Sequence, residues 1–223
     1  MGIEWERIIE LWPEIQTAFF QTLTMIGISL SVALIVGLPL GILLFTTDRG
    51  LFLANRPVNS IVGFIVNILR SIPFIILLVA LIPLTKFITG TTIGPIAASV
   101  SLSVAAIPFF ARIVENSLRE IDKGVIEAAI AVGATPWMII KDVLLPEAKS
   151  SIIQGVTLTI ISLVAYSAMA GVVGGGGIGD LAIRFGYYRY DNTIMVVTIV
   201  ILIVLVQLIQ QAGDYTAKLI DKR

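Results

Sequence analysis

Residues 127–146 read EAAIAVGATPWMIIKDVLLP. Two adjacent alanines, a glycine four residues on, a Thr-Pro pair and a closing proline interrupt a chain that is otherwise mostly apolar. Thr135-Pro136 is a helix-start signal. The threonine hydroxyl caps a free backbone N–H, and proline fits the first helical position because its missing N–H is not needed there. Ala129 and Gly133 are four apart and are expected to share a helix face that another backbone approaches closely. The stretch therefore predicts a short helix ending near Gly133, an elbow, and a second short helix from Pro136. The second is expected to end before Pro146 and feed the next long apolar run.

The surroundings decide where such an elbow sits. Hydrophobic residues make up 57% of the 223 and charged residues 13%, against about 45–50% and 25% in soluble domains. Mean hydropathy is +0.99. A water-soluble domain of this size cannot bury so much apolar surface. Five runs reach the length of about 20 apolar residues that a membrane crossing requires. They cover about 18–45, 58–84, 93–113, 152–173 and 194–211. Spanning backbone must satisfy its own hydrogen bonds, and continuous apolar runs exclude the alternating pattern of a barrel. The fold class expected is an all-α integral membrane protein, with residues 1–223 forming one transmembrane domain with five transmembrane helices.

Lysine and arginine in the loops set the orientation. One side carries Arg49, Arg56, Arg112, Arg119, Lys123, Lys141, Lys149, Lys218, Lys222 and Arg223; the other carries Arg7, Lys86, Arg184 and Arg189. This imbalance predicts the N-terminus outside, the C-terminus inside, and the region of about 122–146 in the cytoplasm. The start, MGIEWERIIELWPEIQ, lacks the basic residues and short apolar run of a cleaved signal peptide. The first apolar run is therefore expected to be a true membrane segment. Basic and acidic residues balance at 15 each, with no histidine and no cysteine. Nothing points to nucleic acid. Disulfides, thiol chemistry, the commonest zinc ligands and the usual general base are all missing.

Several features carry candidate chemistry. GVVGGGGIGDL, residues 171–181, superficially looks like a phosphate loop, but no Gly-Lys pair follows the glycines as a Walker A loop requires. The glycines fit either a flexible or tightly turned loop or a contact surface for an outer partner. Arg70 lies inside an apolar run, where it fits a functional role or a snorkelling, helix-capping one. No acidic residue falls in any expected span to pair with it, which also argues against a proton-driven carrier. Tyr166, Ser167 and Met169 sit in a small-residue stretch of the fourth span. They fit a tight helix interface or a pathway wall in which Ser and Tyr hydrogen-bond and Met offers a soft surface. Gly37 and Gly41 form a GxxxG that permits close helix packing. Pro39, Pro73, Pro83, Pro95 and Pro108 fit tolerated kinks or gating bends.

The elbow also resembles a family signature. Permease subunits of bacterial ABC importers carry Glu-Ala-Ala, three residues, glycine, nine residues, then Ile-x-Leu-Pro. Here the match is Glu127-Ala128-Ala129, Gly133 and Val143-Leu144-Leu145-Pro146, with valine for isoleucine as the one departure. RSIPFIILLVALIP, AAIPFFARIVEN, YSAMAGVVGGGGIGDLA and QLIQQAGD extend the resemblance, from the second span to the C-terminus, to permeases of methionine importers. The resemblance implies a type I importer permease of the bacterial inner membrane with no catalytic residues or cofactor of its own. Its expected partners are a second copy, two cytoplasmic ABC ATPases that bind ATP and magnesium, an extracytoplasmic substrate-binding lipoprotein, and membrane lipid. Glu127, Ala128, Ala129, Gly133, Thr135, Pro136 and Pro146 would form the ATPase-coupling region. Tyr166, Ser167 and Met169 would lie on or near the pathway. Gly175, Gly176, Gly177 and Asp180 would face the binding protein. Methionine, L or D, is the substrate implied; another amino acid, a short peptide or a quaternary-amine osmolyte is the alternative. A stand-alone secondary carrier lacks the carboxylates it would need, and a simple membrane anchor leaves the small, polar patch of the fourth span unexplained.

Overall fold

The computed structural model describes residues 4–220; Lys222 and Arg223 of the charge imbalance lie outside them. Among the described residues every regular element is a helix. α1 is Trp5–Glu10, α2 Trp12–Thr46, α3 Arg56–Ser71, α4 Phe74–Ala80, α5 Ile82–Thr89 and α6 Pro95–Arg119. α7 is Lys123–Ala131, α8 covers 136–147, α9 is Lys149–Val172, α10 covers 177–187 and α11 is Asn192–Ile220. Four helices, α2, α6, α9 and α11, are long and apolar enough to cross a membrane. The pair α3 and α4, bent by 103° at a short break, makes a fifth candidate when counted as one broken span.

The helices overrun the apolar runs. α6 continues to Arg119 and α11 to Ile220, because the backbone ladder carries on where side chains turn polar. The break in the second run has a local cause. Proline has no N–H and pushes the residue before it out of the helical region. Ile72, before Pro73, accordingly lies outside both helices, and Pro73 at φ −54°, ψ 135° is the cap residue of α4. Pro39, by contrast, lies within α2, just after a wider π-type turn at Ala33–Gly37. Such a turn shifts the hydrogen-bond register by one residue and absorbs a local defect without ending the helix.

The chain forms two compact units. The first comprises 1–31, 72–105 and 160–210. Its core holds Leu11, Ile15 and Ala18 against Ile178, Leu181, Phe185 and Ile194. Arg7 of α1 donates to Asp191 at 2.9 Å, while the other oxygen of Asp191 accepts the Ile194 N–H at the start of α11. The second unit comprises 32–71, 106–159 and 211–223. Here Gly41 of α2 meets α6 with no room for a side chain: a Cβ would fall 2.5 Å from the Ala111 carbonyl oxygen and 2.6 Å from Val114 Cβ. Gly37 is similarly close to Ile107 and Phe110. The close packing expected of the GxxxG pair is thus present, and its partner is α6.

Candidate functional site

The elbow is built by capping at every turn of the chain. Asp122 precedes α7, and its side chain accepts the Gly124 N–H at 2.6 Å. α7 ends in two crossed bonds: Gly133 N–H donates to the Ile130 carbonyl at 2.9 Å and Ala134 N–H to that of Ala129 at 3.0 Å. This is a Schellman cap, which needs a left-handed residue just past the helix, and Gly133 supplies it at φ +80°. Gly133 therefore does not extend the face of Ala129, as the four-residue spacing implied; it stops the helix. Thr135 then accepts the Met138 N–H at 3.4 Å, with Pro136 first in α8. α8 does not stop before Pro146. It runs to Glu147 through a π-type turn at Ile139–Leu144, whose shifted register accommodates the proline.

The elbow is anchored by buried Ile126, Ile139 and Leu144, and its other face is open. Glu127, Ala128, Gly133, Thr135, Pro136 and Pro146 are exposed and Ala129 is half-buried. Around them stand exposed Val125, Ile130, Met138, Trp137 at 69% and Val132 at 84%. The elbow thus combines capped helix ends with several exposed apolar side chains.

The three small-stretch candidates on α9 separate. The Tyr166 ring stacks on Phe74 of α4, centroids 4.6 Å apart and planes at 15°. Met169, one turn on, is 45% exposed, with Ala165, Val172 and Val173 also exposed. Ser167 is buried, and its hydroxyl donates to the Val164 carbonyl of its own helix at 2.7 Å. Tyr166 and Met169 thus share a side of α9 that Ser167 does not.

The glycine block is a fixed turn. Gly174, Gly176 and Gly177 occupy the left-handed region. Gly177 and Ile178, which open α10, donate their N–H groups to Gln21 and Thr22 of α2 at 2.8 and 2.9 Å. Those two donors are taken, so they do not cradle a phosphate. A Cβ on Gly179 would overlap the Ala168 backbone, and one on Gly171 the Asp180 backbone. α9 and α10 therefore cross in backbone contact, the tightly turned alternative. Gly175 and Gly177 are buried within the chain. Half-buried Gly176 and Asp180 border an open cavity of about 460 Å³ with Glu14, Thr17 and Gln21, and Arg184 pairs with Asp180 at 2.7 Å. Beyond it Tyr187, Tyr188 and Tyr190 are exposed.

Arg70 is exposed in the last turn of α3, just before the break, and makes no ion pair among the described residues. Among the described residues the buried carboxylate is elsewhere. Glu115, 3% exposed, lies in α6 two residues past the expected end of the third span and pairs with Arg112 and Arg119. The three- and four-residue spacing of these charges on one helix was the available signal. Gln21, Thr22 and Phe74 had none, since their partners are remote in sequence. Among the described residues no cluster of three or more His, Cys, Asp or Glu could hold a metal.

Comparison with known proteins places the chain. Residues 37–222 match the family described as "Binding-protein-dependent transport system inner membrane component". A Vibrio cholerae protein named "Probable D-methionine transport system permease protein MetI" is 54% identical over 207 residues, 93% of this chain and 92% of that one. A Bacillus subtilis "Methionine import system permease protein MetP" is 45% identical, covering 81% of this chain and 82% of that one. A solved structure titled "Inward facing conformations of the MetNI methionine ABC transporter" matches with a TM-score of 0.94 at 46% identity, over 96% of this chain and 99% of the other. The all-helical architecture is that of a type I ABC permease, and the chain belongs to the inner membrane components of binding-protein-dependent transport systems.

Proposed function

We propose that this chain is the pathway-forming subunit of an ATP-driven methionine importer. Two copies assemble with two ATPase subunits at the cytoplasmic face and receive substrate from an extracytoplasmic binding protein, with the N-terminus of each copy outside. The observation that carries the reading is the elbow: a short helix capped at both ends, bearing exposed apolar side chains, and joined through α8 to a membrane-length helix. The names of the relatives and of the matching solved structure support methionine as the substrate.

In this mechanism the chain supplies geometry and its partners supply chemistry. The ATPase grips Glu127, Ala128 and Ala129 together with exposed Val132 and Trp137. Gly133, Thr135 and Pro136 keep α7 at a fixed angle to α8, and Pro146 lies where α8 hands over to α9. Closure of the ATPase pair moves α7 and α8, and α9 carries the movement to the side bearing Tyr166 and Met169. A ligand drives such a change only through different affinities for the two states. ATP and magnesium stay with the ATPase, which must hold the elbow throughout the cycle. Asp180, Arg184 and the neighbouring tyrosines offer the binding protein its surface.

The test is uptake in liposomes holding this chain with its ATPase and binding protein. Labelled L- and D-methionine should accumulate with ATP inside and ignore an imposed proton gradient. Accumulation driven by the gradient without ATP overturns the mechanism; uptake of another amino acid in preference to methionine overturns the substrate.

A further inference from the structure

Glu115 is a buried charge that this mechanism leaves unused. Its side chain is 4% exposed. One carboxylate oxygen accepts from Arg112 at 2.5 Å; the other accepts from Arg119 Nη2 at 2.9 Å and Nε at 3.3 Å. Each arginine then reaches another segment. Arg112 donates to Asn67 Oδ1 at 2.9 Å and to the Gly63 carbonyl at 3.4 Å, both in α3. Arg119 donates to Asp48 at 2.7 Å, in the loop after α2. Asp48 is in turn fixed by the Arg49 backbone N–H at 2.8 Å. All of these residues belong to the second compact unit. One carboxylate thus ties α3, α6 and the 47–55 loop into a single polar cluster.

The cluster adjoins the elbow. α6 ends at Arg119 and α7 begins at Lys123, so three residues separate the ion pairs from the coupling helix. Arg119 and Asp48 line a cavity of about 240 Å³ whose far wall is Ile126, Glu127 and Ile130 of α7. A buried ion pair is weak evidence for stability, because well-packed apolar residues often serve equally well or better. What Glu115 adds is a joint: without it Arg112 keeps Asn67 and Gly63, and Arg119 keeps Asp48, but the two arginines no longer share a partner.

We propose that Glu115 is a positioning residue for energy coupling: it locks Arg112 and Arg119 so that displacement of α7 reaches α3 as one rigid movement. The inference rests on the importer reading above. Hydrogen-bond and ion-pair networks between rigid helices carry coupling from one site to another, and Glu115 is the shared contact of this cluster. The residue touches neither substrate nor nucleotide.

The experiment uses the complete complex in liposomes and reads methionine uptake and ATP hydrolysis together, with the melting temperature of the detergent-purified complex. Glu115→Gln keeps the size of the side chain and removes its charge. Removing the shared partner of a buried ion pair destabilises, so the melting temperature should fall, while hydrolysis at the assay temperature stays near wild type and uptake per ATP falls about fivefold or more, the lower end of ordinary inter-site coupling. Glu115→Asp, which keeps the charge, should recover part of the ratio. A triple Arg112→Leu, Glu115→Leu, Arg119→Leu variant should melt near wild type and remain uncoupled. An unchanged ratio in Glu115→Gln rejects the inference, as does a parallel fall of uptake, hydrolysis and melting temperature that Glu115→Asp does not separate. A wild-type complex that hydrolyses ATP without importing methionine rejects the importer reading instead.

Discussion

Replacing Gly133 by alanine tests the elbow with one carbon atom. Gly133 sits at φ +80°, and no atom outside its immediate neighbours lies within 4 Å of where a Cβ would stand. The substitution therefore adds no steric contact and acts only through backbone conformation. The left-handed region costs an L-residue about 1–2 kcal/mol. At about 1 kcal/mol the population with an opened cap rises about fivefold. The amides that report it are those of Gly133 and Ala134, which donate the two capping bonds. Their hydrogen exchange should quicken about fivefold in Gly133→Ala, in step with the opening equilibrium. Uptake per ATP should fall in the same variant. Asparagine tolerates the left-handed region, so Gly133→Asn should lie near wild type and Gly133→Val below alanine. Equal uptake and equal exchange in Asn, Ala and Val variants would refute a conformational role for Gly133.

Three further outcomes follow from the packing. Gly41→Val should lower the melting temperature by an overpacking cost of about 1–3 kcal/mol, because its Cβ meets backbone at Ala111; Gly27→Val, with nothing within 4 Å, is the matched control. Tyr166→Phe should transport near wild type and Tyr166→Ala more slowly, since only the ring stacks on Phe74 and such a pair contributes about 0.5–1.5 kcal/mol beyond burial. Burial raises the Asp191 carboxyl, but hydrogen bonds from Arg7 and the Ile194 N–H outweigh it and leave the group below its ordinary 3.8. A depressed carboxyl stabilises the fold above its unfolded value and loses that contribution as pH falls through the lower folded value. Asp191→Asn should therefore melt below wild type at neutral pH, with the gap closing as the pH drops below about 4.

Local chemistry accounts for what was legible in the sequence. Hydropathy marked the long helices because each segment's preference for lipid or water is a property of its own residues. The elbow was legible because caps form between near neighbours: Thr135 with Met138, Pro136 at a helix start. Where local reading failed, a local alternative had been available. The spacing of Ala129 and Gly133 suited a shared face equally well until the left-handed backbone at Gly133 removed it from the helix. Hydropathy likewise ended the third span at Ile113 and left Glu115 outside it, although the backbone ladder continues to Arg119.

The sequence by itself determined that this is a helical membrane protein with a capped elbow, without histidine or cysteine. Tertiary structure decided which polar groups meet. Gln21 and Gly177 are 156 residues apart, yet their bond ties the glycine turn to α2. Tyr166 was placed by Phe74 and Ser167 was turned away from it. Asn67 and Arg112, 45 residues apart, tie α3 to the Glu115 cluster. Such pairs leave no periodic trace in the chain, because their energies depend on where whole helices lie, and that is set only when the helices pack.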